Sequence, residues 1–213
     1  MLFDFQTLPA RERYKLLVST IVPRPVAWVV SQDVNGVVNA APYSFFNAFS
    51  DDPAVVCIGC GPRPEGTSKD TLANIKATGQ FVVCLVPASH VQQMSDTATD
   101  FPPGVDELIE TGLTKLPSTK VRPPRIAESP VALECETFQL VPVGHHTIVM
   151  GKVLAMHVAD EAVLDPARNY IDTPKLELVG RMHGRGWYAR TTDRVEVERL
   201  TLAEWQARKA SQG

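Results

Sequence analysis

Cysteine is scarce: four in 213 residues, too few to staple a domain of this size, so reduced thiols are the expectation and disulfides are not what holds the fold. Charge of one sign is lacking as well. Lys and Arg total 21 against 24 Asp and Glu, a formal charge of -3 with a pI near 6.0, which leaves no overall basic field for a polyanion and argues against nucleic acid as a partner. No apolar run approaches the roughly 20 residues that span a bilayer. Met1-Leu2-Phe3-Asp4-Phe5 lacks the basic flank of a signal peptide, so the expectation is a soluble, cytoplasmic protein with no membrane partner. Internal repeats, low-complexity tracts and Rossmann-type alternation of strand and helix are also missing. What is present is 44% hydrophobic and 21% charged, which excludes disorder as the main state and suits a single domain over residues 1–213.

Proline and glycine punctuate the chain. Pro9 opens a helix through Leu17, and Pro23-Arg24-Pro25 stops it and leads into extended backbone. Val26 to Val30 reads as a strand, Asn35-Gly36 supplies the positive φ angles of a tight turn, and Val37 to Ala41 returns antiparallel. A third strand covers Ala54 to Ile58. Thr67 and Asp70 have capping-box spacing at a helix that Leu72, Ile75 and Lys76 continue and Gly79 ends. Gln80 to Val86 has a central-strand pattern, followed by a short helix from Pro87 to Met94. From Asp100 to Ser129 prolines break the periodicity and predict an excursion over the surface. Val131 to Val141 and Thr147 to Val158 are long enough for a curved sheet, and Leu200 to Lys209 reads as an amphipathic helix. Five or more antiparallel strands with helices between them give an α+β or small β-barrel class.

Cys57-Ile58-Gly59-Cys60 has a spacing that zinc or thiol exchange uses. It falls inside a buried strand, where residues three apart face opposite ways and no second ligand pair is offered, so the cysteines are expected to be small buried hydrophobes and no metal is expected. Thr67 to Leu72 is a stronger signal. The hydroxyls of Thr67, Ser68 and Thr71, the Lys69 ammonium and the unpaired N–H groups of a helix start form an anion site, with Arg63 adding a second charge; a plain helix cap is the alternative. Asn39 to Ser50 sets Ser44, Asn47 and Ser50 among Tyr43, Phe45, Phe46 and Phe49. That mix covers a flat heteroaromatic ring and meets its polar edge, with an ordinary hydrophobic corner as the alternative.

Together these segments resemble the flavin reductase family with an FMN-binding split β-barrel. The resemblance is carried by Pro23-Arg24-Pro25-Val26-Ala27-Trp28-Val29, by Gly36 through Ala48, by Asp52-Pro53 and by Lys69-Asp70-Thr71-Leu72-Ala73-Asn74-Ile75. It continues through Leu133-Glu134-Cys135, Gly144 through Val153, and Val179 through Tyr188, so residues 20 to 190 are covered in order. The implied fold is mainly β with inserted helices, an antiparallel split β-barrel of the FMN-binding type.

The resemblance implies FMN at a homodimer interface, its phosphate near Ser68, Lys69 and Thr71 with Arg63, and its ring against Tyr43, Ser44, Phe45, Phe46 and Asn47. In the family the turn at His145-His146 usually reads Gly-Asp-His-Thr, so His146 aligns with the recurring histidine as the catalytic candidate and His145 replaces an acidic residue. A loop pair exposed to water is the alternative for the two histidines. Arg181, His183, Trp187 and Tyr188 would cover the open flavin face or shape a nicotinamide pocket, or else pack a barrel end. Arg24 would meet an anionic group or lie on the surface, and His90 and His157 read as structural. The implied activity is transfer of a hydride from NADH or NADPH to flavin, with a monooxygenase or another electron-transfer protein as acceptor. The alternative is an FMN-holding electron carrier reduced by a protein partner.

Overall fold

Pro9 stands just outside α1 (Ala10–Thr20), which ends where Pro23 and Pro25 enforce extended chain in β1 (Arg24–Pro25). A computed structural model describes residues 1–63, 66, 68–102 and 104–211. β2 (Ala27–Gln32) and β3 (Val38–Tyr43) form the hairpin foreseen at Asn35-Gly36. Gly36 takes φ 94°, and the Asp33 carboxylate accepts from the N–H groups of Asn35 and Val37. β4 (Phe46–Asp51) and β5 (Ala54–Cys60) make a second hairpin, followed by α2 (Asp70–Thr78) and β6 (Gln80–Leu85). The capping expectation at Thr67 lies outside the described residues, and Lys69 occupies the N-cap position.

The stretch read as one short helix from Pro87 divides into a 3-10 turn at Ala88–His90 and α3 (Val91–Asp96). Beyond it come α4 (Glu107–Glu110), β7 (Lys115–Leu116) and β8 (Arg125–Ile126). The long strands β9 (Val131–Val143) and β10 (His146–Val158) pair with bulges beside Gly151 and Leu154. β11 (Val163–Asp165), β12 (Tyr170–Ile171), β13 (Val179–Arg181), β14 (Tyr188–Arg190) and α5 (Leu202–Ala210) complete the described chain.

Seven strands form one antiparallel sheet in the order β3-β2-β6-β9-β10-β5-β4, and β1, β13 and β14 form a smaller one. Bulges bend long strands, and the large sheet curls until β3 meets β5. β2 explains the two-layered core. Its consecutive residues Ala27, Trp28, Val29 and Val30 are all fully buried, which requires cover on both faces. Ala27 and Val29 join Tyr43, Ile58, Phe81 and Val149 beneath Leu72 and Ile75 of α2. Trp28 and Val30 join Val82 and Cys84 on the opposite face, where the Trp28 indole donates to Thr97 Oγ1 at 3.0 Å.

Two sequence expectations change. The excursion from Asp100 to Ser129 is more than a surface loop, because Leu108, Leu113, Val121 and Ile126 are buried and cover the second face of the sheet. The aromatic segment after Tyr43 contains an edge strand, β4, with Phe49 68% exposed.

Gly151 has a steric role. A Cβ there would run into the ring of Phe81, which is itself fully buried. Gly151→Ala therefore overpacks the interior, and its expected cost is about 1–3 kcal/mol, read as a lower urea midpoint at unchanged slope.

Candidate functional site

The start of α2 gathers hydrogen-bond donors and cationic side chains from several directions. Lys69, at φ -66° and ψ 152°, provides no side-chain cap. The first N–H groups of a helix have no intrahelical acceptor, and those of Asp70, Thr71 and Leu72 find no other among the described residues. Arg63 Nη2 reaches Asp70 Oδ2 at 2.6 Å, which brings a guanidinium to the same helix end. Lys69 Nζ lies 5.8 Å from the centre of the Tyr43 ring. The Tyr43 hydroxyl is buried and lies toward Thr71 without a hydrogen bond of normal geometry among the described residues, and burial pushes its pKa up.

A cleft of about 60 Å³ opens here between Asn39, Tyr43, Arg63, Lys69, Thr71 and Glu107. The Asn39 amide presents its oxygen to Thr71 Oγ1 at 2.9 Å and its nitrogen to Glu107 Oε1 at 3.2 Å. Glu107 Oε2 accepts from the Ala40 N–H at 3.0 Å, and burial raises the pKa of this carboxyl. The back wall of the cleft is thus braced by its own hydrogen bonds, while the helix N–H groups are left without an acceptor among the described residues. Ser68 is exposed beside Lys69.

Tyr43 leads directly into the aromatic segment. The Phe45 carbonyl accepts from Gly59 N at 2.7 Å, and a Cβ on Gly59 would sit only 3.0 Å from Phe45 Cβ. A Cβ on Gly61 would lie 2.9 Å from His146 Nε2. The two glycines on neighbouring turns of the pleat therefore admit Phe45 and His146 against the β5 backbone. The Phe45 and His146 rings stand 6.4 Å apart at 24°, and Tyr14 of α1 approaches Phe45 at 6.2 Å. Phe46 points the other way and packs on the core, as strand alternation requires. Asn47 is exposed, its side-chain oxygen accepting from the Ala48 N–H. His145 sits in the exposed turn after Gly144, at φ 57°, so only His146 joins Phe45.

Arg24 is neither on the surface nor free to hold a ligand. It is buried, and its guanidinium donates to the carbonyls of Val18, Ile21 and Met182 and, through Nε at 3.3 Å, to Ser44 Oγ. Burial lowers its pKa. One side chain thus joins the end of α1, the aromatic segment and the turn between β13 and β14. That turn carries Trp187, whose backbone carbonyl accepts from Met182 N.

Sequence reading overlooked Tyr14, Glu107 and the bridging role of Arg24. The Gly59 and Gly61 pair was the available signal, since glycine within a strand marks a close approach. The four cysteines are buried and unpaired, with Cys60 pushed up to about 12 by burial. Among the described residues no cluster of three His, Cys, Asp or Glu side chains is placed to hold a metal ion, and no helix is long and apolar enough to cross a membrane.

A protein of Deinococcus radiodurans is 44% identical over 208 residues, covering 96% of this chain and 92% of that protein. The crystal structure of nitrilotriacetate monooxygenase component B from Bacillus cereus superposes with a TM-score of 0.86 at 29% identity, covering 92% of this chain and 98% of that one. The 2-nitrobenzoate 2-nitroreductase of Pseudomonas fluorescens also gives 0.86, at 32% identity and with 95% and 98% covered. The antiparallel sheet with its inserted helices is the split-barrel fold of the flavin reductase-like proteins. Residues 18–173 match the flavin reductase like domain, and with the relatives above this establishes that the chain belongs to the flavin reductase family.

Proposed function

We propose that this protein is an FMN-dependent oxidoreductase in which NADH or NADPH reduces the flavin. The observation that carries the reading is the buried Tyr43 hydroxyl, which makes no hydrogen bond of normal geometry among the described residues, facing a cleft with Lys69, Arg63 and helix N–H groups that likewise find no partner among the described residues. A buried hydroxyl without an acceptor or donor is costly, and a phosphate monoester would satisfy it together with the N–H groups of Asp70 and Thr71. Lys69 and Arg63 supply charge, Thr71 lines the buried wall, and Ser68 is exposed beside Lys69. Tyr43, Ser44, Phe45 and Asn47 run from this cradle to the ring site, with Phe46 bracing them from the core.

FMN, if bound here, would supply a redox centre able to accept a hydride from a nicotinamide nucleotide. The work of the chain is positioning: two flat rings must be held at about 3–3.5 Å with water kept out. His146, resting on Gly61 beside Phe45, is the imidazole at that edge, placed to donate or accept a hydrogen bond there.

The face that carries Phe45 and Phe49 continues into Tyr14, Leu17 and Ile21, and all five are exposed. α1 buries none of its residues. A second copy covering this apolar face would close the ring site, and the assembly is read as a homodimer. The family member from Bacillus cereus is a monooxygenase component, which supports a monooxygenase as the acceptor of the reduced flavin.

The test is anaerobic mixing of the FMN-loaded protein with NADH and with NADPH. Bleaching of the visible flavin band by either nucleotide is expected. Bleaching only by a reduced protein partner would replace the reading with that of an electron carrier.

A further inference from the structure

The small sheet has two unlike faces. Residues directly opposite one another in antiparallel strands share a face, and successive residues alternate. Arg24, Arg181 and Tyr188 form one row across β1, β13 and β14, on the face from which Arg24 reaches Ser44. The next row is Pro25, Gly180 and Ala189. No side chain in it is longer than a proline ring, and the opposite face of the sheet is therefore hollow. The hollow measures about 480 Å³. Its floor is apolar, formed by Val26, Val86 and Val179 of the core with Leu85 and Leu178 beside them. Backbone bonds fix the walls: Val179 N donates to the Val86 carbonyl at 3.1 Å, and Thr191 Oγ1 donates to the Leu178 carbonyl at 3.1 Å. A Cβ on Gly180 would come within 2.6 Å of Pro23 Cβ, so glycine is what lets the Pro23 ring lie against β13 as a further wall. Arg190, Asp193 and Arg194 also line the hollow. All three are exposed, and none forms a salt bridge among the described residues.

We propose that this hollow is a second binding site, for a small organic anion with an apolar body and one carboxylate. A concave apolar floor with a few polar groups at its edge is the usual form of a small-molecule site, and the volume falls within the usual range of about 300–1,000 Å³. The hydrocarbon body is taken out of water against the valines and leucines. The guanidinium groups of Arg190 and Arg194 match the two carboxylate oxygens. Two arginines against the single Asp193 leave the lining net positive, which selects an anion over a cation of the same shape. The hollow lies across the small sheet from the Arg24 bridge to Ser44, so it is separate from the ring segment and binds its ligand with or without flavin.

The experiment is isothermal titration of the full chain with 2-naphthoate and with its neutral counterpart 2-naphthamide, each with and without FMN. Wild type is compared with Ala189→Phe, which sets a ring into the hollow from β14, and with the double variant Arg190→Gln and Arg194→Gln, both at exposed positions. Wild type is expected to bind naphthoate whether or not FMN is present, and the amide about three- to ten-fold more weakly. The double arginine variant should lose that preference and bind acid and amide alike. Ala189→Phe should weaken both about ten-fold or more, since its ring takes the space of the ligand's. Wild-type binding that neither Ala189→Phe nor the arginine changes alter overturns the proposal. Binding that FMN abolishes and Ala189→Phe leaves intact also overturns it, by placing naphthoate in the ring site, and leaves the flavin reading standing. A wild type that binds no naphthoate overturns it as well; if Ala189→Phe then sediments as a smaller species than wild type, the hollow is a contact between two copies of the chain.

Discussion

Replacing Glu134 by glutamine is expected to lower the unfolding free energy by about 2–3 kcal/mol near neutral pH, the largest stability loss anticipated for a single isosteric change in this chain. The side chain is fully buried on β9 and accepts from the Thr119 N–H at 2.8 Å, from the Lys120 N–H and from His157 Nε2 at 2.6 Å. It anchors the covering segment next to buried Val121. Glutamine keeps one acceptor oxygen and turns an NH₂ toward a backbone N–H, so a buried donor is left facing a donor.

Burial by itself would raise the Glu134 pKa, but the two backbone N–H groups and then His157 outweigh it and hold the carboxyl below its ordinary 4.5. A depressed folded value contributes stability that is complete above the ordinary pKa and is lost as pH falls through the folded one. The gap between wild type and Glu134→Gln should therefore narrow in urea melts as pH falls below 4.5. A gap independent of pH would mean that the carboxylate charge has no part in the anchor.

The second large effect is on flavin affinity. Lys69→Ala should weaken FMN about ten-fold at low ionic strength while leaving riboflavin, which has no phosphate, unchanged. Lys69 is exposed, so the loss should shrink in high salt. Tyr43→Phe should also weaken FMN selectively, yet stabilise the FMN-free protein by about 1 kcal/mol, because it removes a buried hydroxyl that lacks a partner. Opposite signs for folding and binding are what a side chain held ready for a ligand produces; a purely structural tyrosine would lose stability as well. Flavin-fluorescence titrations and urea melts on the two variants read both quantities.

Local signals were the legible ones. The Asn35-Gly36 turn and the helix ending at Gly79 each depend on a few adjacent residues, and the structure places both where the pattern does, whereas α2 has Lys69 at its N-cap, two positions after the cap read at Thr67. β4 was hidden because a bulge between Ala48 and Ser50 breaks its alternation and its outward face is aromatic. Leu108, Leu113, Val121 and Ile126 follow neither a helical nor a strand period, so their burial could not be read from spacing. At the candidate site Lys69, Asp70 and Thr71 are neighbours in sequence and so were legible together, whereas the Arg24 bridge spans 158 positions to Met182 and exists only in three dimensions. His146 meets Gly61 because β10 pairs with β5, a long-range register that no local motif encodes.

The most direct measurement is a crystal structure of the protein grown with FMN. The phosphate is expected at the N–H groups of Asp70 and Thr71, within reach of the Tyr43 hydroxyl and Lys69, and the flavin ring against Ser44, Phe45 and His146. A phosphate bound elsewhere, with the start of α2 facing only solvent, would contradict that placement.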